Sequence, residues 1–379
     1  MRFRTFLKEG GNVVLKTGEA AQKIPMDQVE RKELQKVLRD TLVALNKKFE
    51  AKFDHPLWKN FDELVRKEML YSGSSRIFFK DSVSDEEFKK YKSKVGDLDL
   101  MFPLHLKGEL KQLLDSIIGQ QVGPCRYVDE GGNSPSQYNT LFELPEEYWD
   151  KIKYVQVDFE PVDANEETGE PTEFSLFAHY SSWKDIQEGV KGLFSKYLYR
   201  SIFSNIEKIS NYVILTDSGK VSKSKEFESE IGKYKFSVDR GVRIGYVPVM
   251  DADGTQKMVD GKFAYKKDDK SNYEQGMQVI FNMAYQKDPT DSELKAMHSF
   301  VGSLDLIAQN FDKAKIENIF VRFIELIWGQ GAQGIERDNP KGDFEIKKTA
   351  YDLFLKKFPY LKSHDKQIQQ ELKVFYEKY

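Results

Sequence analysis

YSGSSRIFFKDSVSDEEFKKYKSKVGDLDLMFP, residues 71–103, carries a Gly-Ser pair with an arginine behind it, a charged stretch, and then two aspartates split by one leucine. Side chains two positions apart on a strand share a face. The alternation in GDLDLMF therefore predicts a strand with Leu98, Leu100 and Phe102 on one side and Asp97 and Asp99 on the other, their Cβ atoms about 7 Å apart. A strand face normally wants packing or scattered surface polarity. Paired carboxylates at this spacing suit one shared ligand, and a hard divalent cation is the chemistry they match.

A third carboxylate would complete such a site, and KYVQVDFEP (153–161) supplies one. Its alternation predicts a half-buried strand, with Val155, Val157 and Phe159 on one face and Tyr154, Gln156, Asp158 and Glu160 on the other. Asp158 lies deeper in the run than Glu160 and is the expected third ligand. Three aspartates with a triphosphate form a sensible oxygen set for Mg2+ or Mn2+. Gly73 lets backbone approach a phosphate closely, Ser74 at the start of a helix offers a hydroxyl, and Arg76 adds a planar charge. Taken singly, an Asp-x-Asp is most often a polar rim and Gly-Ser-Ser an ordinary turn or cap. Their order, followed by an aspartate inside an apolar strand, is what one mechanism demands jointly.

Working outward, 379 residues suffice for two or three folded units. Charge is high but balanced, 58 basic residues against 61 acidic for a net of −3, so nucleic acid could be held only by a local basic patch. The single cysteine, Cys125, excludes an internal disulfide and a multi-thiolate zinc site, and VGPCRYV predicts a semi-buried loop around it. No apolar run is long enough to span a membrane, and the opening MRFRTFLKEGGNV lacks a secretory core, so a cytoplasmic protein with no membrane partner is expected.

Helical spacing of Leu34, Val37, Leu38, Leu42, Leu45 and Phe49 predicts an amphipathic helix. Others are expected around Phe61, Leu64 and Met69 and along Leu110 to Ile118. QQVGPCRYVDEGGNSPSQYN reads as an excursion between elements. FSLFAHYSS is expected as a strand forming a hairpin with KYVQVDFEP, and one long helix from Trp183 to beyond Ile202, with Lys184, Lys191, Lys196 and Arg200 on its other side. After about residue 205 come short strands with a hairpin turning at Asp253-Gly254, and then a helical tail with stripes at Ile316, Phe320, Phe323 and Ile327, at Ala350, Leu353 and Phe354, and at Ile368, Leu372 and Phe375. Trp328 is expected in the core of that tail, and His105 and His179 as packing residues.

Gly73-Ser74-x-Arg76, a spacer, then Gly96-Asp97-x-Asp99 and an apolar run resembles the signature of the DNA polymerase β-like nucleotidyltransferase superfamily, with Asp158 in YVQVDFE matching the third metal-binding aspartate. FSLFAHYSSW resembles the segment that places an aromatic residue and small hydroxyls beside the incoming nucleotide, although Tyr180-Ser181-Ser182 lacks the glycine found there. FLKEGGNV is further similar to nucleotidyltransferase-like proteins of tailed bacteriophages. The resemblance covers about residues 50 to 205. It implies a polymerase β palm-like domain, a mixed sheet with flanking helices; with the small β-rich connector and the helical C-terminal domain that the pattern after it predicts, the expected fold class is α+β. The expected boundaries are 1–50, 51–205, 206–270 and 271–379. It further implies transfer of a nucleoside monophosphate from an NTP to a hydroxyl on an RNA, tRNA or DNA 3′ end or on a protein, with Asp97, Asp99 and Asp158 as catalytic metal ligands. Gly73, Ser74, Arg76, Tyr180, Ser181 and Lys191 would bind the nucleotide. A non-catalytic phage binding or structural protein that keeps the fold is the competing reading.

Overall fold

Alternating Leu98, Leu100 and Phe102 do pack beneath a strand, β3 (Asp97–Pro103), with Asp97 and Asp99 half-buried on its other face. The computed structural model describes residues 21–92, 94–133, 137–222, 230–238, 240–268, 272–328 and 340–364. The FLKEGGNV motif, the last tail stripe (Ile368, Leu372, Phe375) and the side chain of Trp328 lie outside what is described. The chain divides into two units, residues 1–189 and 190–379.

In the first unit, β1 (Ile24–Pro25) pairs with β2 (Lys94–Val95), and five strands make the main sheet. Besides β3 these are β4 (Gln121–Val122), β5 (Cys125–Asn133), β6 (Tyr138–Glu143) and β7 (Tyr154–Val162), in the order β3-β7-β6-β5-β4. The sheet is mixed: β3 and β7 run parallel, and the remaining pairs are antiparallel. Parallel neighbours need a long crossover. Here the crossover contains α5 (Lys107–Ser116) and the β4-β5-β6 meander.

Helix α1 (Arg31–Phe53) forms where the apolar spacing predicts, and its Leu38 and Leu42 lie beside Leu98, Leu100, Phe142 and Val157. With α5 it covers the apolar face of the sheet, each fully buried leucine contributing roughly 1.5–3 kcal/mol. The connection from α1 is clamped by charge: Arg31, itself buried, donates to Asp85 Oδ1 at 2.8 Å and to the carbonyls of Phe78 and Val83. This satisfies the carbonyls where α3 (Gly73–Phe78) ends and α4 (Asp85–Tyr91) begins. A short α2 (Phe61–Arg66) precedes them.

Five expectations are corrected here. QQVGPCRYVDEGGNSPSQYN is not an excursion but supplies β4, β5 and the start of β6: Gly123, with φ of 59°, turns the chain between β4 and β5, Gly131 and Gly132 lie within β5 where its register with β6 shifts, and Val122, Cys125 and Tyr127 point into the core. Cys125 is fully buried on β5, and burial pushes its thiol up to about 11. Strand β7 is buried on both faces rather than one: it lies between β3 and β6, and Ala21 and Leu141 close over Tyr154. FSLFAHYSS is helical, not a strand. In α6 (Glu173–His179) Thr172 accepts from Ser175 N at 3.2 Å as the cap, and Phe174 and Phe177, three apart, turn inward together. The long helix from Trp183 is two helices, α7 (Trp183–Gln187) and α8 (Leu193–Phe203), interrupted at Gly189 with φ of 76°.

The second unit begins with α8, which packs on α11 (Phe300–Asn310), α12 (Lys313–Trp328) and β11 (Tyr234–Ser237). The division therefore falls at Gly189 and Val190 instead of near 205, and the connector and tail belong to one unit. Its strands are β8 (Lys208–Ser210) paired with β10 (Glu230–Gly232), β11 with β12 (Gly241–Ile244), and β13 (Tyr246–Pro248), β14 (Met258–Val259) and β9 (Tyr212–Leu215) around β15 (Lys262–Lys267). The chain turns at Asp253-Gly254, closed by Asp251 N to Thr255 O at 2.8 Å, and again at Asp260-Gly261. Helices α9 (Met277–Tyr285), α10 (Asp291–Met297) and α13 (Pro340–Lys357) join α11 and α12. The predicted stripe at Ile316, Phe320, Phe323 and Ile327 is buried, with Phe323 stacked on Phe300 at 5.4 Å and tilted against Phe354 at 5.7 Å.

Candidate metal centre

The register of the parallel pair decides the site: Asp99 stands opposite Asp158, and Asp97 opposite Gln156. With side chains alternating on each strand, all four project from the same face of the sheet. Among the described residues, Asp97, Asp99 and Asp158 each offer a ligand atom within 4.8 Å of the others. All three carboxyls hold their protons more tightly than usual. Burial is the main cause in each, and neighbouring carboxylates add to it: Glu160 for Asp97; Glu160, Asp97 and Asp158 for Asp99. Asp158, only 2% exposed, is pushed up to about 8 by burial and by Asp97, despite the amide of Gln156 donating to both its oxygens at 2.9 Å. Like charges crowded in a low-dielectric setting are what a bound cation relieves. The donor set, oxygen only, suits magnesium or manganese better than a softer metal.

The Gly-Ser turn is fastened to the free edge of β3. Met101 N donates to Leu70 O at 2.8 Å and Ser72 N to Asp99 O at 3.0 Å, making residues 70–72 a short extra edge to the sheet. The buried Ser75 hydroxyl accepts from Asp99 N at 2.8 Å. Between these ties Gly73 opens α3 with φ of 51°, and a Cβ there would sit 3.0 Å from Asp99 Oδ2. Glycine thus serves twice: it takes the left-handed backbone at no cost, and it leaves the carboxylate of Asp99 its space. Ser74 follows, half-buried, on the first turn of α3.

Helix α6 delivers two side chains to this neighbourhood at its C-terminal end. His179 Nδ1 lies 2.9 Å from Glu160 Oε2, which also accepts from the Ser72 hydroxyl. Burial alone would raise Glu160, but the hydrogen bond and charge of His179 and the bond from Ser72 hold it below the usual carboxylate range. Glu160 therefore stays ionised one pleat beyond the three protonation-prone aspartates. The adjacent Tyr180 places its ring 4.1 Å from the Arg76 guanidinium, whose Nε is 3.5 Å from Glu68 Oε2.

Of the nine expected site residues, the fold brings Asp97, Asp99, Asp158, Gly73 and Ser74 to one place and joins Arg76 to Tyr180. Ser181 is half-buried ahead of Ser182, which caps α7 through Asp185 N at 3.0 Å. Lys191 belongs to the second unit, as does Lys196, which is buried with its ammonium on Gly192 O at 3.1 Å and so lies on no open basic face. His179, expected as a packing residue, is instead half-buried on Glu160. Ser72, Ser75, Gln156 and His179 were not singled out for the site. The only trace of Gln156 in the sequence is its place two positions from Asp158, and His179 arrives through a helix that the sequence reads as a strand. A scan of protein-family models gives no match to this chain, and a search of curated proteins gives none at a significant level.

Proposed function

We propose that this chain is a metal-dependent nucleotidyltransferase that moves a nucleoside monophosphate from an NTP to a hydroxyl acceptor and releases pyrophosphate. The observation that supports it most is the convergence of three aspartates from two parallel strands beside a left-handed glycine where a Cβ would sit 3.0 Å from Asp99 Oδ2. Asp97, Asp99 and Asp158 would hold Mg2+ or Mn2+. Such ions, when bound, supply the positive charge that neutralises phosphoryl oxygens in an in-line displacement.

The chain's own residues do the rest. Gly73 and Ser74, pinned to β3, present backbone and a hydroxyl beside the carboxylates, where the β and γ phosphates would be cradled. Arg76, steadied by Glu68 and Tyr180, offers a planar cation toward the departing pyrophosphate. Asp158, held by Gln156, helps activate the acceptor hydroxyl. Fixing donor and acceptor in this rigid frame removes much of the entropic barrier.

The test is label transfer: the chain is incubated with each of the four NTPs, α-labelled, with Mg2+ or Mn2+, and with RNA, tRNA, DNA or protein as acceptor. Label should appear on one acceptor class and vanish with Asp97→Asn. Full transfer by Asp97→Asn, or none from any NTP by the unaltered chain, refutes the reading.

A further inference from the structure

The second unit holds a half-open cavity of about 800 Å³ that the metal centre does not account for. Its rim is built by close packing. Gly232 of β10 lies so near the end of α8 that a Cβ would meet Ser204 O at 2.9 Å, and Asn205 ties the same helix end to Asn318 O of α12 at 3.4 Å. One wall is the outer face of α12, where Val321 is 43% exposed between Glu317 and Arg322, while the opposite face of that helix is core. The other walls carry half-buried rings, Tyr234 and Tyr273, and the more deeply set Phe236 and Tyr246.

Cations accompany those rings: Lys235 lies over Tyr246 at 4.8 Å, and Arg243 over Tyr273 at 5.0 Å. The carboxylates are largely spoken for. Glu230 pairs with Lys208 at 3.2 Å and Glu325 with Arg322 at 2.7 Å. Arg200 is different. It is exposed on the rim, and among the described residues its guanidinium has no hydrogen bond or ion pair. Rings that offer a π face, interleaved with cations and one uncommitted guanidinium, are the chemistry that holds a base and its phosphate. The volume takes a few nucleotide units and not a duplex.

We propose that this cavity is a second nucleotide-binding site, distinct from the aspartate cluster, which stacks a base against Tyr234 or Tyr273 and pairs a phosphate with Arg200. The ligand is a nucleotide unit, supplied either by single-stranded nucleic acid or by a free mononucleotide. The proposal does not depend on transfer activity.

Fluorescence anisotropy of the full chain in EDTA tests it, with a labelled single-stranded RNA hexamer in one arm and a fluorescent nucleoside monophosphate in the other. At least one probe should bind, more weakly as salt rises. Arg200→Gln and Tyr273→Ala should each weaken it about fivefold, and Glu317→Gln, which removes a repelling carboxylate, should tighten it two- to threefold. A gain of affinity cannot come from a misfolded chain. Binding of the hexamer alone assigns a nucleic-acid strand, and binding of the monophosphate a free nucleotide; either supports the site. Failure of both probes, or binding indifferent to all three substitutions, overturns it. Because Asp97→Asn should leave this binding intact, loss of transfer and loss of the cavity are separable.

Discussion

At the scale of single residues, Gly73 and Asp99 are one device. Ala at position 73 would have to adopt φ near 51° and push against Asp99 Oδ2 at 3.0 Å. Gly73→Ala should cost roughly 1–2 kcal/mol from the backbone alone and reduce transfer by more than that loss of stability explains. Chemical denaturation and label transfer on the same sample separate the two effects. Asp99→Asn should behave oppositely. It removes a carboxyl whose ionisation burial and three neighbouring carboxylates oppose, so metal-free stability should rise, while transfer falls by about three orders of magnitude. A melting temperature lower than that of the unaltered chain in EDTA would show that Asp99 stabilises the fold and is not held there for a cation. The Asp-x-Asp spacing already implied the shared face, since strand alternation is local. The company of Asp158 is not local, and it depends on a register that pairs residues 59 positions apart.

At the scale of elements, α6 shows how a helix can pass for a strand. FSLFAHYSS is short, aromatic and β-tolerant, and a seven-residue helix leaves little periodicity to read. The Thr172 cap and the inward pair Phe174 and Phe177 decide it, and with it the position of His179. His179→Ala leaves Glu160 buried without its principal partner and loosens the Ser72 turn, so transfer should fall about tenfold with little change in fold. His179→Gln, which can still donate to Glu160, should recover part of it. Circular dichroism and transfer rates measure both; a His179→Ala chain with unaltered transfer removes this helix from the site. The strands β4 and β5 were hidden for a related reason: Gly123-Pro124 ends β4 after two residues, and Gly131-Gly132, which reads as a turn signal, lies within β5 where its register with β6 shifts.

At the scale of the whole molecule, the metal centre writes itself into the pH dependence of stability. Unfolded carboxyls titrate near 4, whereas Asp97, Asp99 and Asp158 hold their protons to higher pH when folded, Asp158 to about 8. The folded chain therefore binds more protons than the unfolded one between those limits, and stability falls as pH rises through that window. Carboxylates lowered by their partners, such as Glu160 and Glu207, act the other way and only at lower pH, as their stabilisation is lost on acidification. Thermal melts in EDTA should decline from about pH 5 to about pH 8, and Mn2+ should stabilise most at the upper end, where the aspartates are free to ionise. A metal-free melting temperature that climbs across this range would mean that the three carboxyls are not crowded as described.

The sequence by itself determined the faces: which side of β3 and β7 is apolar, which carries aspartates, and where α1 and α12 bury their stripes, because periods of two and 3.6 are properties of a single segment. Only the tertiary structure decided that β3 and β7 are parallel neighbours in the register that sets Asp99 against Asp158, that residues 121–133 join the sheet, and that α8 belongs with the second unit. These choices rest on contacts between segments far apart in the chain, where packing and backbone pairing outweigh local preference.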